Sequence, residues 1–307
     1  MQAFYQNHGN LYSMMKGKMS PSNLHKFSGT LCKELHEHMA HLGTEGTGDL
    51  NDLVRQVMYP AVVNTLFGRG ICPTSPSEIK EFEEHFQKYD EDFEYASQMP
   101  ECFLRNWSKS KKWLLKLFEK VVLDAERTNP SETASKTLLQ HLLDNLRGKH
   151  LAPNYGLLML WAAQANAVPL KLIMHDDLNF IIPAGDMLML SPYWLHRNPK
   201  YFPDPEMFKP DRWKEANLEK NAFLDSFVAF GGGKHQCPGR WFAIMEIQLF
   251  VVLFLYKYEF VLLDAVPKES PLHLVGTQQP MAPLRSPTNA CSGIVCSGET
   301  PLIHLLA

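Results

Sequence analysis

Apolar residues recur at intervals of three and four through the first half of the chain, so the hydrophobic pattern predicts a run of amphipathic helices there. Leu24, Phe27, Leu31, Leu35, Met39 and Leu42 keep one helical face, from an N-cap and first turn at Ser20 and Pro21 to a stop at Gly43. A second helix is expected over Asp49 to Phe67, kinked at Pro60 because proline has no N–H to donate. Ser77 is the expected cap of a third, whose apolar face is Ile79, Phe82, Phe86 and Tyr89. Trp113, Leu114, Leu117, Phe118, Val121 and Val122 mark a fourth, and Leu138, Leu139, Leu142, Leu143 and Leu146 a fifth. Asn154 to Val168 is apolar almost all round until Gln164 and Asn166, the pattern of a buried helix.

After Pro169 the texture changes. Ile173 and Phe180 to Ile182, then Met187 to Leu190, predict two strands joined by the turn Pro183 to Asp186. His196 to Pro205, with Phe208, Pro210, Arg212 and Trp213 behind it, holds too much proline for helix or strand. Trp241 to Tyr256 is apolar but short and carries Glu246 and Gln248, which fits a core helix and not a membrane span. The fold class that results is mainly α with small β-sheets.

Composition narrows the function. A chain of 307 residues that is 45% hydrophobic has enough apolar surface for a large core. Its formal net charge of -3 gives no electrostatic case for nucleic acid, and Lys109, Lys111, Lys112 and Lys116 suit a solvated helix face. The six cysteines lack the spacing of a disulfide framework, which favours a reducing compartment. Met1 to Met19 is polar and broken by glycine, so no signal peptide or anchor is expected there. His36, Glu37, His38 and His41 miss the zinc-protease pattern because Ala40 stands where its second histidine belongs.

The chemistry concentrates in Phe230-Gly231-Gly232-Gly233-Lys234-His235-Gln236-Cys237-Pro238-Gly239. A phosphate loop is excluded, since Val228 replaces its first glycine and His235 its Ser or Thr. A glycine-rich loop can turn backbone N–H groups toward one sulfur, and a helix starting at Cys237 would lower the thiol pKa through its dipole. Gly239 would let a flat macrocycle lie close, His235 would reach a propionate, and Phe230 would keep water from the sulfur.

Phe230, Gly233, Cys237 and Gly239 in this spacing resemble the proximal loop of the cytochrome P-450 superfamily. The resemblance implies that Cys237 is the axial ligand of a haem b iron and that the fold is a P-450 fold. Pro210, Arg212 and Trp213 resemble the meander before that loop, and Leu262 to Pro280 its last strands. Ala162 to Asn166 align with the family's oxygen-activating motif; the acid and threonine are absent, and asparagine at the threonine position, here Asn166, resembles the sterol 7α-hydroxylase branch. Tyr89 to Tyr95, Leu104 to Trp113 and Leu195 to Tyr201 are similar to the oxysterol 7α-hydroxylases that prefer 24-hydroxycholesterol. The likeness implies a bile-acid-forming monooxygenase on the cytoplasmic face of the endoplasmic reticulum membrane. Its partners would be NADPH-cytochrome P-450 reductase, an oxysterol and O₂, and Asn166 would guide protons.

The same resemblance implies an incomplete fold: one domain over 1–280, without the family's N-terminal part and without a segment between Pro169 and Leu170, followed by an unrelated tail over 281–307. That segment would carry Glu-x-x-Arg, whose pair locks the meander arginine, here Arg212; none of the nine arginines follows a glutamate by three. A buried arginine without partners is expensive. Two readings therefore stand side by side, an active haem monooxygenase and a shortened product that binds haem poorly and catalyses nothing.

Overall fold

The structure, a computed structural model, describes residues 2–69, 75–96, 99–127, 137–146, 149–164, 192–213, 227–232, 236–260, 262–268, 281–282 and 284–290. The chain opens with helix α1 (Gln2–Lys18), which the polar pattern did not predict, and α2 (Pro21–His41) follows at once. Pro21 takes the first turn, and Gly43, at φ 80, lies beyond the last one. The Ser20 hydroxyl donates back to the Gly17 carbonyl instead of capping α2.

Helix α3 (Leu50–Phe67) is capped by Asp49 and stays helical through Pro60. The carbonyl that Pro60 cannot serve belongs to Gln56, an exposed residue. Helix α4 (Pro76–Glu91) is capped two residues before the expected position, with Ser75 accepting from the Glu78 N–H. Pro76, already set at a helical φ, makes its predecessor the cap. After α5 (Phe93–Ala96) comes α6 (Arg105–Arg127), longer at both ends than its apolar stripe. Thr137 and Gln140 form a reciprocal capping box on α7 (Leu138–Asn145), and α8 is Ala152–Gln164. The short α9 (Pro192–His196) precedes the meander, and α10 (Arg240–Lys257) is the expected core helix. The strands expected between 173 and 190 lie outside the described residues.

One core runs through all the long helices, with α3 against α2, α6 between α4 and α8, and α10 on α2. Helices α2 and α10 run alongside: Phe27 meets Phe242 edge to face at 5.8 Å, and the Tyr258 hydroxyl donates to the Met39 carbonyl at 2.7 Å. Phe202 and Val228 are buried outside this core, in a small aromatic cluster of their own.

The described strands form one antiparallel sheet in the order β1 (Glu45–Asp49), β3 (Arg285–Ala290), β2 (Tyr258–Phe260). Its central strand comes from the segment expected to be an unrelated tail and pairs with β1 on one side and β2 on the other. Glu45 faces Asn289 and Asp49 faces Arg285, while β2 reaches only from Ala290 to Thr288. Pro287 thus lies past the end of β2, where its missing N–H costs the ladder little. Asp49 joins helix to sheet, one carboxylate oxygen accepting from the Asp52 N–H and the other from the Leu284 N–H.

Candidate functional site

Cys237 sits at the junction between an irregular loop and the first turn of α10. Its N–H donates to the Phe230 carbonyl at 2.9 Å, and the Gly231 N–H donates to the Val228 carbonyl at 2.9 Å, with Gly231 at φ 70. These bonds close the loop on itself and place Phe230 beside the cysteine through its backbone. The positive φ explains a glycine at 231.

The Gly239 and Arg240 N–H groups at the start of α10 favour negative charge on the sulfur, and the Arg240 N–H itself donates to the Cys237 carbonyl at 3.5 Å. The expected low thiol pKa is corrected. Burial pushes the Cys237 thiol up, and the two amides and the Arg240 charge only offset it. The Arg240 side chain donates to the Cys237 carbonyl at 3.2 Å and lies over the Trp241 ring.

Gly239 does not face open space. A Cβ there would lie 3.5 Å from the sulfur of Met19, in the turn between α1 and α2, and 3.9 Å from the Cys237 sulfur, ordinary contacts that do not by themselves demand glycine. Gly233 and His235 lie outside the described residues, as does Asn166 beyond the end of α8. Phe230, Cys237 and Gly239 are therefore the predicted site residues whose proximity the structure describes.

Arg212 is not buried without partners. Its guanidinium donates to the carbonyls of Pro203, at 2.9 Å, and of Asp204 and Met207, both at 3.1 Å. The meander arginine thus ties its own loop through main-chain oxygens, and the desolvation penalty expected for a missing lock does not arise at this position.

Two side chains that the motif does not contain touch the loop. The Tyr12 hydroxyl on α1 donates to the Gln236 carbonyl at 2.7 Å, and the Val228 N–H donates to His196 Nε2 on α9 at 3.0 Å. The only sequence signal for His196 was its place in an aromatic, proline-rich stretch; Tyr12 had none.

A half-buried thiol that two amides at a helix start already address is suited to a metal ion that takes a single thiolate. Among the described residues no group of three or more His, Cys, Asp and Glu could hold a metal on its own. No described helix is long and apolar enough to cross a membrane.

The family model for cytochrome P-450 matches residues 171–284. The chain is 49% identical to the 24-hydroxycholesterol 7-alpha-hydroxylase of Homo sapiens, over 90% of this chain and 74% of that protein, and 47% identical to that of Mus musculus, over 91% and 73%. The human alignment is 346 positions long although it takes in 90% of 307 residues, so about 70 of its positions have no counterpart here. Among solved structures, retinoic acid-bound cyanobacterial CYP120A1 superposes with a TM-score of 0.73 at 17% identity, over 92% of this chain and 79% of that one. The cytochrome P450DA heme domain gives 0.70 at 14%, over 91% and 76%.

Proposed function

Because the chain belongs to the cytochrome P-450 family, in its oxysterol 7α-hydroxylase branch, we propose that it is a haem-thiolate monooxygenase acting at carbon 7 of an oxysterol such as 24-hydroxycholesterol. The observation that carries this reading is Cys237, half-buried where a loop closed on the Phe230 carbonyl enters α10. Haem b, once bound through Cys237, supplies the oxygen-activating chemistry of the family. The overall change takes O₂, two electrons and two protons, and returns one water and one hydroxyl in place of a C–H bond.

The chain's own residues set the conditions for that change. The two amides stabilise negative charge on sulfur, so deprotonation on ligation opposes less of the burial penalty than it would in an apolar pocket. Phe230 keeps water from the sulfur, Gly233 shapes the loop, Gly239 lets the flat macrocycle lie close, and His235 pairs with a propionate. The Asn166 amide, which both donates and accepts, orders water that carries protons toward the oxygen site. Electrons come from NADPH-cytochrome P-450 reductase, the setting is the cytoplasmic face of the endoplasmic reticulum membrane, and the product belongs to bile-acid synthesis.

The ferrous carbon-monoxide difference spectrum of the chain after haem supplementation tests the reading, with Cys237→Ala as the control. A red-shifted thiolate Soret band that the alanine variant loses is the expected result. No band in the parent chain would replace the proposal with the alternative, a shortened product that cannot seat haem.

A further inference from the structure

The loop that carries Cys237 has two arms with different supports. Its first arm, 227–232, belongs to the small aromatic cluster outside the main core. His196 stacks on Phe227 at 5.5 Å and meets Phe202 edge to face at 5.7 Å, and Trp213 meets Phe227 edge to face at 4.9 Å. Its second arm, 236–239, runs into α10 and the main core. The two arms are joined by the Cys237 N–H to Phe230 carbonyl bond. A hinge between two packing units is a place where local opening is cheap unless each unit is tied to the loop.

We propose that His196 and Tyr12 are positioning residues for the thiolate, one holding each arm of the loop that carries Cys237. Val228 is 1% exposed, so its N–H would be buried and unpaired without His196 Nε2. To accept that bond the imidazole must be neutral with its proton on Nδ1. Burial, and then the charge of Arg197, hold His196 below its ordinary pKa and keep it so at neutral pH. On the other arm the Tyr12 hydroxyl fixes the carbonyl of Gln236, the residue before the cysteine, and so sets the direction in which the chain enters α10. Neither side chain touches the sulfur. Each acts on it through one peptide group, as outer-shell groups do around a ligand.

This deepens the haem-thiolate reading, but its test needs no haem. Alkylation of Cys237 by iodoacetamide is followed by peptide mass spectrometry in the full chain, with Cys32 and Cys102 as internal references. His196→Phe keeps a ring between Phe202 and Phe227 and orphans the Val228 N–H, and Cys237 is expected to react about tenfold faster, the size of a lost buried hydrogen bond. His196→Gln restores an acceptor at similar reach and should bring the rate back to within about twofold of the parent, as the bond and not the ring carries the effect. Tyr12→Phe removes one hydroxyl at a partly exposed site, for which about threefold is expected. An unchanged rate in His196→Phe, an equal rise at Cys32, or a failure of the glutamine to restore the rate each overturns the proposal. A chain that lacks the carbon-monoxide band yet shows this pattern keeps the clamp and loses the haem reading; the reverse result keeps the haem reading and loses the clamp.

Discussion

Glu83 on α4 is held in a form unusual for a carboxyl. One of its oxygens is buried with no hydrogen-bond partner among the described residues, and burial, followed by the charge of Asp52, pushes its pKa to about 7 against offsets from Arg55 and Lys80. The folded chain therefore holds this proton more tightly than the unfolded chain, whose value is 4.5. The stability that results is fully present below 4.5 and is lost as pH rises through 7. Glu83→Gln stays neutral at every pH. It should gain about 1–2 kcal/mol over the parent at pH 8, a figure discounted for partial exposure, and nothing at pH 4.5. Urea denaturation of both chains at the two pH values measures the difference, and an equal gain at both would refute the titration argument. At this scale the site was only half legible in the sequence. Phe230, Cys237 and Gly239 lie within ten residues of one another, so their spacing reports the loop directly. Tyr12 and His196 reach it across 224 and 32 residues, and only the packing of α1 and α9 brings them there.

Between elements, the tightest packing with a named cause is where α8 crosses α6. A Cβ on Gly156 would stand 2.5 Å from the Phe118 ring, which is 1% exposed and meets Phe67 edge to face at 5.6 Å. The ring has no room to withdraw. Gly156→Ala is therefore expected to destabilise by about 1–3 kcal/mol despite alanine's better helix propensity. Phe118→Leu in the same chain should recover part of that loss, so the double mutant falls short of the sum of the single changes; additive losses in thermal denaturation would mean that the two sites do not meet. Inside α10, Glu246 is buried with one oxygen unpaired among the described residues, and burial raises its pKa well above the ordinary value. Helices such as these were legible because a buried face repeats every three to four residues. Strand β1 was not: Glu-Gly-Thr-Gly-Asp has no apolar alternation, and it is a strand because β3 pairs with it.

For the whole molecule, the sheet joins three distant parts of the chain, and its centre is the part that resembled nothing. Pairing decides this, not side-chain pattern, because β3 is Arg-Ser-Pro-Thr-Asn-Ala and gains its place from main-chain bonds on both sides. Its entry is fastened as well. Arg285 donates from its backbone and twice from its side chain to Asp264, whose pKa those bonds hold down to about 2, and the Leu284 N–H donates to Asp49 at the cap of α3. Losing this strand would leave β1 and β2 without a common neighbour and one oxygen of the Asp49 carboxylate without the Leu284 N–H. A chain ending at Ala290 and a chain ending at Pro280 differ by β3 and its fastenings. The shorter chain is expected to melt about 4 °C or more below the longer one, since even about 1–2 kcal/mol of lost pairing shifts a protein of this size by several degrees. Circular dichroism melts of the two at neutral pH decide the matter. Equal midpoints would mean that residues 281–290 add nothing to the fold, and the boundary expected at 280 would stand; a lower midpoint for the shorter chain makes β3 part of the same cooperative unit as α2, α3 and α10.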